Sequence, residues 1–356
     1  MSKKYNVLID LDRLKDPNNG LGQVALNYGN IVGKTDDPQL TFTLLVPENF
    51  VGYFGDKVNY EAISFKRRYF PDFCPKYDLW HSIHQDCSYF PGDKNTPILL
   101  TINDLNFLGE KGKLKAANRL RILQKIVNRA QRITTISDYT GDVVKQNLDI
   151  GNIPIQTVYL GVEVKHFENV KRPDFVPEGK ILFSVGVVRE KKNYMSLIPF
   201  IKELPEEYCL VIAGNKQSSY SDQIEAKVIE LGLGKRVILP GTISDEDKCW
   251  LYANCEAVLF PSKFEGMGFP PIEAMRYKKP VFASTFSSIP EISGENAFYW
   301  ETFEPAKMAE FFITKMKEFN VDPQRGQIIR EYSMKYTWQN CARQYISLYK
   351  EMLGIS

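Results

Sequence analysis

The sequence predicts an α/β protein made of two doubly wound domains, each built on a parallel sheet. Short apolar runs rich in Val, Ile, Leu and Phe alternate with longer amphipathic stretches, which is typical of βαβ units. The chain has 356 residues, more than one hydrophobic core usually serves, so two domains of about 150 to 180 residues are expected. A polar segment with two prolines and a glycine separates two series of apolar runs.

Each series contains six predicted strands. The first comprises Asn6 to Ile9, Phe42 to Val46, Leu79 to Ser82, Ile98 to Thr101, Arg132 to Ile136 and Ile155 to Val158. The second comprises Ile181 to Val185, Cys209 to Ala213, Val237 to Leu239, Ala257 to Phe260, Pro280 to Ala283 and Ala297 to Tyr299. We expect a first domain over 1–168, a linker over 169–180, a second domain over 181–335 and a C-terminal helix within 336–356, where apolar residues recur at helical spacing.

Composition excludes several classes of protein. The formal net charge of +2 gives no global reason to expect nucleic acid as a partner. The six cysteines form no C-x-x-C pair, which indicates reduced packing residues and no metal site. The N-terminal MSKKYNVLIDLDRL lacks the features of a secretory signal, and the apolar runs are far shorter than the roughly 20 residues of a membrane span. A cytoplasmic protein is expected.

The stretch SKFEGMGFPPIEAM places Glu265 and Glu273 around Gly266 and Gly268. Proline suits the first turn of a helix, so the glycines are predicted to form a loop that enters a helix with Glu273 in its first turn. Helix N-termini attract phosphate, and glycine lets the backbone approach a ligand. The carboxylates would then accept hydrogen bonds from the hydroxyl groups of a sugar and of a ribose. Alternatively, Glu273 only suits the helix dipole and Glu265 is a solvated loop residue.

A basic cluster follows the first strand of the second domain. In FSVGVVREKKNYMSLI, Gly186 ends the strand, and Arg189, Lys191 and Lys192 precede an amphipathic helix. A cation at the carboxyl end of a strand could neutralise a diphosphate. A solvated group of charges is the alternative.

Two segments of the first domain also carry candidate ligand-binding residues. Gly20 and Gly22 open an amphipathic helix, although G-L-G alone is a weak signal. In LLTINDLNFL, Asn103 and Asp104 follow a strand and lie at its carboxyl end. Asp104 could accept a hydroxyl hydrogen bond, but a single Asp there is more often a turn or cap residue.

EKGKLKAANRLRILQKIVNRAQR predicts an amphipathic helix with a cationic outer surface. Its apolar face comprises Leu120, Leu123, Val127 and Ala130, and its opposite face comprises Arg121, Lys125, Arg129 and Arg132. Such a face predicts peripheral contact with an anionic membrane through residues 111–132, and the loop SFKRRYFPDF adds basic and aromatic residues suited to that interface. A plain solvated face is equally compatible with the pattern.

Together these segments resemble the retaining glycosyltransferases of family 4, also called group 1, which have the GT-B fold. The resemblance covers nearly the whole chain. Its segments are G-L-G-Q, LTINDLNFL, ITTISDYTGDVV, TVYLGVEV, VGVVREKKN, LVIAGN, LPGTISDEDKCWLYANCEAVLFPSKFEGMGFPPIEAM and PVFASTFSSIPEISGENA. The spacing of Glu265 and Glu273 matches the E-x7-E motif of that family.

The resemblance implies two Rossmann-like domains that face each other across a cleft, with the C-terminal helix returning toward the N-terminal domain. It also implies transfer of a hexose or related sugar from a nucleoside-diphosphate sugar, with retention at the anomeric carbon and without a metal. The acceptor would be a glycan or a lipid-linked glycan in surface polysaccharide or glycoconjugate synthesis. No cofactor is expected, since the sugar nucleotide is a co-substrate.

The resemblance assigns roles to individual residues. Glu265 would contact the donor sugar, Glu273 the ribose, and Lys192 the leaving phosphate. The remaining donor-binding positions would be Gly266, Met267, Gly268, Phe269, Gly186, Thr242, Ile243, Gly20 and Gly22.

Two positions depart from the family pattern. Asn103 stands where many members have a histidine near the reaction centre. By this resemblance, Asn103 and Asp104 are candidate catalytic residues. Val187 stands where many have an arginine, so Arg189 or Lys191 would supply the second cation. The alternatives are a catalytically impaired sugar-nucleotide-binding subunit, or a GT-B epimerase or phosphorylase.

Overall fold

A computed structural model describes residues 4–17, 19–165 and 167–355 of the chain. It divides into two compact units, one of Met1–Gly161 with Tyr336–Ser356 and one of Val162–Lys335. The division therefore lies earlier than the predicted end of the first domain at residue 168. Lys165 shows why: its Nζ pairs with Asp245 at 2.6 Å, and its carbonyl accepts a hydrogen bond from the Tyr277 hydroxyl at 3.1 Å.

The first unit is built on a seven-stranded parallel sheet in the order β3-β2-β1-β4-β5-β6-β7. Its strands are β1 (Tyr5–Asp10), β2 (Leu40–Val46), β3 (Asn59–Ala62), β4 (Leu79–Ser82), β5 (Ile98–Ile102), β6 (Arg132–Thr135) and β7 (Ile155–Thr157). Its α-helices are α1 (Gly20–Val32), α2 (Phe65–Tyr69), α3 (Phe107–Glu110), α4 (Lys113–Val127), α5 (Asp138–Asn147) and, near the C-terminus, α13 (Trp338–Leu353).

The second unit has a six-stranded parallel sheet in the order β10-β9-β8-β11-β12-β13. Its strands are β8 (Lys180–Val185), β9 (Tyr208–Ala213), β10 (Val237–Gly241), β11 (Ala257–Phe260), β12 (Val281–Ser284) and β13 (Phe298–Trp300). Its helices are α6 (Leu197–Glu203), α7 (Ser219–Glu230), α8 (Asp245–Asn254), α9 (Phe269–Arg276), α10 (Ile289–Ser293), α11 (Pro305–Val321) and α12 (Arg325–Ser333).

All twelve predicted strands are present, and one observed strand was missed. β3 has the sequence NYEA, lies at the edge of its sheet, and has no fully buried residue. An edge strand of four mostly polar residues lacks the apolar run that marks a buried parallel strand. The fold class is confirmed: both sheets are parallel and both units are α/β.

The C-terminal helix returns to the first unit, as predicted. The hydroxyl of Tyr349 on α13 lies 2.8 Å from that of Tyr28 on α1 and 2.7 Å from Nδ1 of His81 on β4. His81 Nε2 is 2.9 Å from the Thr101 hydroxyl on β5. The buried polar groups beneath α13 thus satisfy one another and attach the end of the chain to the first sheet.

The basic helix is shorter than predicted. α4 ends at Val127, and Arg132 begins β6, where its guanidinium pairs with Glu351 at 2.5 Å. The prediction that Arg132 belongs to the cationic helix face is therefore wrong, because Arg132 pairs with the neighbouring strand β5 in the sheet. Leu123 and Val127 are buried as predicted. Within the described residues, none of the helices combines the length and the apolar character that crossing a bilayer requires.

Each sheet reverses its strand order once. In the first unit the chain runs outward from β1 to β2 and β3, then resumes on the other side with β4. In the second it runs from β8 to β9 and β10, then resumes with β11. Ligands of such sheets bind at the carboxyl ends of the strands beside this reversal. The candidate ligand-binding edges are therefore those at β1/β4 and at β8/β11.

Candidate functional site

A lysine and a glutamate meet at the β8/β11 reversal of the second unit. Lys192 follows β8 and Glu265 follows β11, and Lys192 Nζ donates to Glu265 Oε1 at 2.5 Å. Only 13% of the lysine side chain and 12% of the glutamate side chain is exposed. The fold thus brings together two predicted site residues that are 73 positions apart in the chain.

Glu265 is held by hydrogen bonds on several sides. The Ser262 hydroxyl donates to Glu265 Oε1 at 2.6 Å, and the Glu265 N–H donates to the Ser287 hydroxyl at 3.1 Å. The Ser288 hydroxyl donates to the Glu265 carbonyl at 3.1 Å. This carboxylate is therefore a positioned, largely buried group and not a solvated loop residue. No role was predicted from the sequence for these three serines: Ser262 opens the SKFEGMGFPPIEAM stretch, and Ser287 and Ser288 form the S-S dipeptide after β12.

Close backbone approach at this edge depends on glycine. Gly186 ends β8 with φ +144° and Gly214 ends β9 with φ +143°, and a Cβ on Gly214 would lie 2.1 Å from the Gly186 carbonyl oxygen. Gly268 precedes α9 with φ +78°. These left-handed conformations strain any residue with a Cβ, which favours glycine at all three positions. Gly214 was missed, although it stands after the strand in LVIAGN.

Glu273 lies deeper in its helix than predicted. α9 begins at Phe269, one residue before Pro270, so Glu273 is not in the first turn. Its carboxylate accepts a hydrogen bond from the Tyr252 hydroxyl at 2.6 Å and lies 3.4 Å from Lys248 Nζ, both on α8. Burial raises the pKa of Tyr252, and the neighbouring Glu273 carboxylate acts in the same direction. The interpretation that Glu273 only complements the helix dipole is not favoured by this position.

The other predicted residues of the second unit border these groups in the chain. Lys191 is half-buried, and its carbonyl accepts a hydrogen bond from the N–H of Lys263 at 2.7 Å, which ties the basic segment to the Glu265 loop. Arg189 is exposed. Gly266 and Met267 are buried beside the loop, whereas Thr242 is exposed and Ile243 half-buried between β10 and α8. These last two lie at the far edge of the sheet.

The remaining predicted residues lie in the first unit. Gly20 is the first residue of α1 and Gly22 donates its N–H to the side chain of Asn19 at 2.8 Å. Asn103 is buried after β5, where its side-chain N–H donates to the Ile83 carbonyl at 3.0 Å, while its Oδ1 has no hydrogen-bond partner among the described residues. Asp104 accepts from the N–H of Asn106 at 3.0 Å, as a turn residue does.

A buried cluster at the β1/β4 reversal was not predicted. Asp10, Asp12 and His84 place one ligand atom each within 4.8 Å of one another, as a metal site would. Arg13 Nε, however, donates to His84 Nδ1 at 3.4 Å, so the imidazole proton lies on Nε2 and is donated to Asp12 at 2.8 Å. Both imidazole nitrogens are thus engaged, which disfavours metal ligation.

The pKa values of this cluster reflect its burial. Burial raises the pKa of Asp10 well above its ordinary value, and the neighbouring Asp12 carboxylate acts in the same direction. Burial alone would also raise the pKa of Asp12, but the hydrogen bond from His84 and the nearby cations lower it overall. Burial lowers the pKa of His84. We infer a neutral imidazole that fixes the position of Arg13.

The second-unit arrangement can bind a phosphorylated, hydroxylated ligand. Lys192 offers a positive charge, the glycine backbone offers close approach, and Glu265 offers an acceptor for hydroxyl groups. Comparison with known proteins fits this chemistry, because residues 166–333 match the family described as glycosyl transferases group 1. The matched residues all lie within the second unit.

Curated relatives resemble part of the chain. The chain is 23% identical over 253 residues to the O-antigen chain mannosyltransferase B of Escherichia coli, covering 65% of each protein. It is 27% identical over 251 residues to the serotype-specific mannosyltransferase WbdA of Escherichia coli, covering 64% of this chain and 30% of that one. The chain thus spans less than two thirds of the length of these relatives.

Solved structures share the fold over nearly the whole chain. A glycosyltransferase from Rickettsia africae ESF-5 has a TM-score of 0.74 at 15% identity, covering 99% of this chain and all of that one. Anabaena Alr3699/HepE in complex with UDP-glucose has a TM-score of 0.71 at 15% identity, covering 98% of this chain and all of that one. The GT-B type of the two Rossmann-like domains is confirmed. Membership of family 4 and retention stay predictions.

Proposed function

We propose that this protein is a retaining glycosyltransferase that transfers a hexose from a nucleoside-diphosphate sugar to a glycan or lipid-linked acceptor in surface polysaccharide or glycoconjugate synthesis. The observation that carries the proposal is the Lys192–Glu265 pair at the β8/β11 reversal, within the residues that match the group 1 family. A cation for the diphosphate and a carboxylate for the sugar stand side by side there, with Gly186 next to the lysine and Gly268 next to the glutamate.

In the proposed reaction, the bond from the anomeric carbon to the donor diphosphate breaks and a bond to an acceptor hydroxyl oxygen forms on the same face of the sugar. The acceptor proton passes to the departing diphosphate. Lys192 stabilises the charge that develops on the leaving oxygen, and Glu265 orients the sugar through its hydroxyl groups. Arg189 or Lys191 would supply a second cation for the diphosphate.

The nucleoside would occupy the other side of the diphosphate site. We propose that Glu273 accepts hydrogen bonds from the ribose, and that the backbone at Thr242 and Ile243 contacts the base. The backbone of residues 266–269 would border the sugar and diphosphate. Mannose is the first sugar to test, because several relatives are named as mannosyltransferases.

The proposal is tested by incubating the protein with GDP-mannose, UDP-glucose and other UDP-, GDP- and ADP-sugars. Release of free sugar, or its transfer to an added glycan, is measured by chromatography. NMR of the first-formed product reports the anomeric configuration. We expect slow hydrolysis of at least one donor with retention. Binding of a donor without turnover or transfer to any acceptor would instead indicate a sugar-nucleotide-binding subunit.

We also propose peripheral contact with the inner face of an anionic membrane through the first unit. On α4, Leu114 is 89% exposed beside the basic residues Lys113 and Lys115, and on α2 Phe65 is 71% exposed beside Lys66. Exposed apolar side chains among lysines are the composition of an interfacial surface. Co-sedimentation with phosphatidylglycerol vesicles should weaken as salt rises. Binding that ignores both lipid charge and salt would exclude this contact.

A further inference from the structure

Two arginines share one carboxylate at the β1/β4 reversal of the first unit. Arg119 of α4 donates through Nη2 to both carboxylate oxygens of Asp86, at 2.9 and 2.7 Å. Arg13 donates through Nη2 to the Asp86 carbonyl at 2.7 Å, and the same nitrogen is 3.8 Å from the carboxylate. Arg13 Nε also lies 3.8 Å from the Asp12 carboxylate, which pairs with Lys15 Nζ at 3.6 Å, so three cations stand against two carboxylates and leave an excess of one positive charge at this edge.

Both guanidinium groups are held in place and reach solvent. His84 accepts from Arg13 Nε, and Phe107 lies under the Arg119 guanidinium with 5.1 Å between the group and the ring centre. About a third of each arginine side chain is exposed, 30% for Arg13 and 35% for Arg119. The bonds of Arg119 to Asp86 use only Nη2, so among the described residues its Nε and Nη1 remain for an anion. Fixed guanidinium groups with unused donors suit a phosphate.

An apolar cavity adjoins this charge. It has a volume of about 160 Å³, and its lining combines three polar residues with five apolar ones: Gln85, Asp86 and Arg119, and Cys87, Phe107, Ile122, Leu123 and Ile126. Ile122 is 51% exposed and Leu123 is buried, so the cavity extends from the surface toward the core. An apolar cavity of ~150 Å³ holds a group the size of benzene. This one can take a hydrocarbon segment of about six carbons.

We propose that this edge of the first unit binds a phosphorylated single-chain lipid, with its phosphate on Arg119 and Arg13 and its first carbons in the cavity. The inference rests on the proposed function, in which such a lipid carries the growing glycan. Position, charge and shape each support it: ligands of this kind of sheet bind at the strand reversal, the excess charge is positive, and the apolar space begins beside the guanidinium. An ordinary glycan needs no apolar cavity.

The test uses n-alkyl monophosphates from butyl to octyl as probes, at concentrations where they stay monomeric, with binding followed by calorimetry on the full chain. Each added CH2 should strengthen binding about fourfold until the cavity is full near six carbons, and then add little. Inorganic phosphate and hexanol should each bind at least tenfold more weakly than hexyl phosphate. Affinity independent of chain length would overturn the proposal.

Two pairs of variants separate a site from general attraction. Arg119→Gln should weaken hexyl phosphate binding at least tenfold, while Arg121→Gln, which removes the same charge from an exposed position on α4, should leave it unchanged. Ile122→Trp should abolish the dependence of alkyl phosphate affinity on chain length, whereas Leu114→Trp should leave that dependence unchanged. Equal effects within each pair would mean that the helix attracts anions without a site. Thermal unfolding verifies that the variants are folded.

Two further arms distinguish the lipid source and the underlying function. Phosphatidylglycerol vesicles should compete poorly with hexyl phosphate; complete competition would assign the site to bulk membrane lipid and overturn the proposal. Donor hydrolysis is measured on the same variants and should be unchanged in the control variant Arg121→Gln. If the wild-type protein hydrolyses a donor but does not bind alkyl phosphates, this inference alone is wrong. If the wild-type protein binds no donor, the proposed function is wrong.

Discussion

Replacing Glu265 with glutamine would remove the charge partner of Lys192 and little else. The ammonium would remain where only 13% of its side chain is exposed, 2.5 Å from an uncharged amide, while Ser262 could still donate to the amide oxygen. Removing one partner of a buried ion pair costs ~3–5 kcal/mol. Since both side chains retain some exposure, we expect the lower end, ~3 kcal/mol.

That loss has two measurable consequences. For a domain of this size, 1 kcal/mol shifts the melting temperature by ~2–4 °C, so the second unit should melt ~6–12 °C lower in Glu265→Gln. If the same carboxylate orients the donor sugar, a loss of ~3 kcal/mol in the transition state corresponds to a ~100-fold lower kcat/KM for donor hydrolysis. Binding of the nucleoside diphosphate without a sugar should be retained, because Lys192 is still present.

The chain contains a matched control. Lys216 Nζ and Glu225 Oε1 form a pair at 2.8 Å in the same unit, but their side chains are 41% and 45% exposed. Exposed pairs contribute ~0–1 kcal/mol, so Glu225→Gln should alter neither melting nor hydrolysis appreciably. Calorimetry measures the melting temperature of both variants, and a donor hydrolysis assay measures their kcat/KM. If Glu265→Gln melts lower but hydrolyses the donor normally, the pair is structural, and the assignment of the site is refuted.

Three further predictions follow from the same structure. Glu273→Gln should raise KM for the sugar nucleotide ~10-fold with kcat unchanged, as loss of uniform binding does; a change in kcat alone would contradict the ribose assignment. Gly214→Ala, whose Cβ would meet Gly186, should destabilise the second unit by ~3 kcal/mol in denaturant titrations, whereas Gly234→Ala, in open space, should be neutral. Burial lowers the pKa of His81 to about 3, so between about pH 6.5 and pH 3 its imidazole binds a proton only in the unfolded chain and contributes a fall of ~1.4 kcal/mol per pH unit to the free energy of unfolding, to which the buried His84 adds in the same direction. In denaturant titrations His81→Gln should flatten this slope, and an unchanged slope would assign it to other groups.

Local sequence patterns predicted the elements because each pattern reports burial of its own segment. The strands at Leu210 and Val258 are fully buried apolar runs, and such runs have few alternatives in a parallel sheet. The apolar pattern did not predict β3, because an edge strand can be polar. Arg132 was predicted both to begin a strand and to lie on the cationic helix face, because helical spacing continues past the real end of α4; in the structure α4 ends at Val127 and Arg132 pairs with Leu99 in the first sheet.

The sequence by itself determined the two parallel-sheet domains, the glycine loop before α9, and the carboxylate and lysine offered at the carboxyl ends of strands. These follow from hydrophobic period and turn chemistry, which act over a few residues. Only the tertiary structure decided which of these groups meet: Lys192 with Glu265, and Arg13 with Arg119 across Asp86. The physical reason is that strand order, not chain order, sets neighbours in a doubly wound sheet. Groups that lie more than 70 residues apart become partners only when the reversal in strand order places their strands side by side.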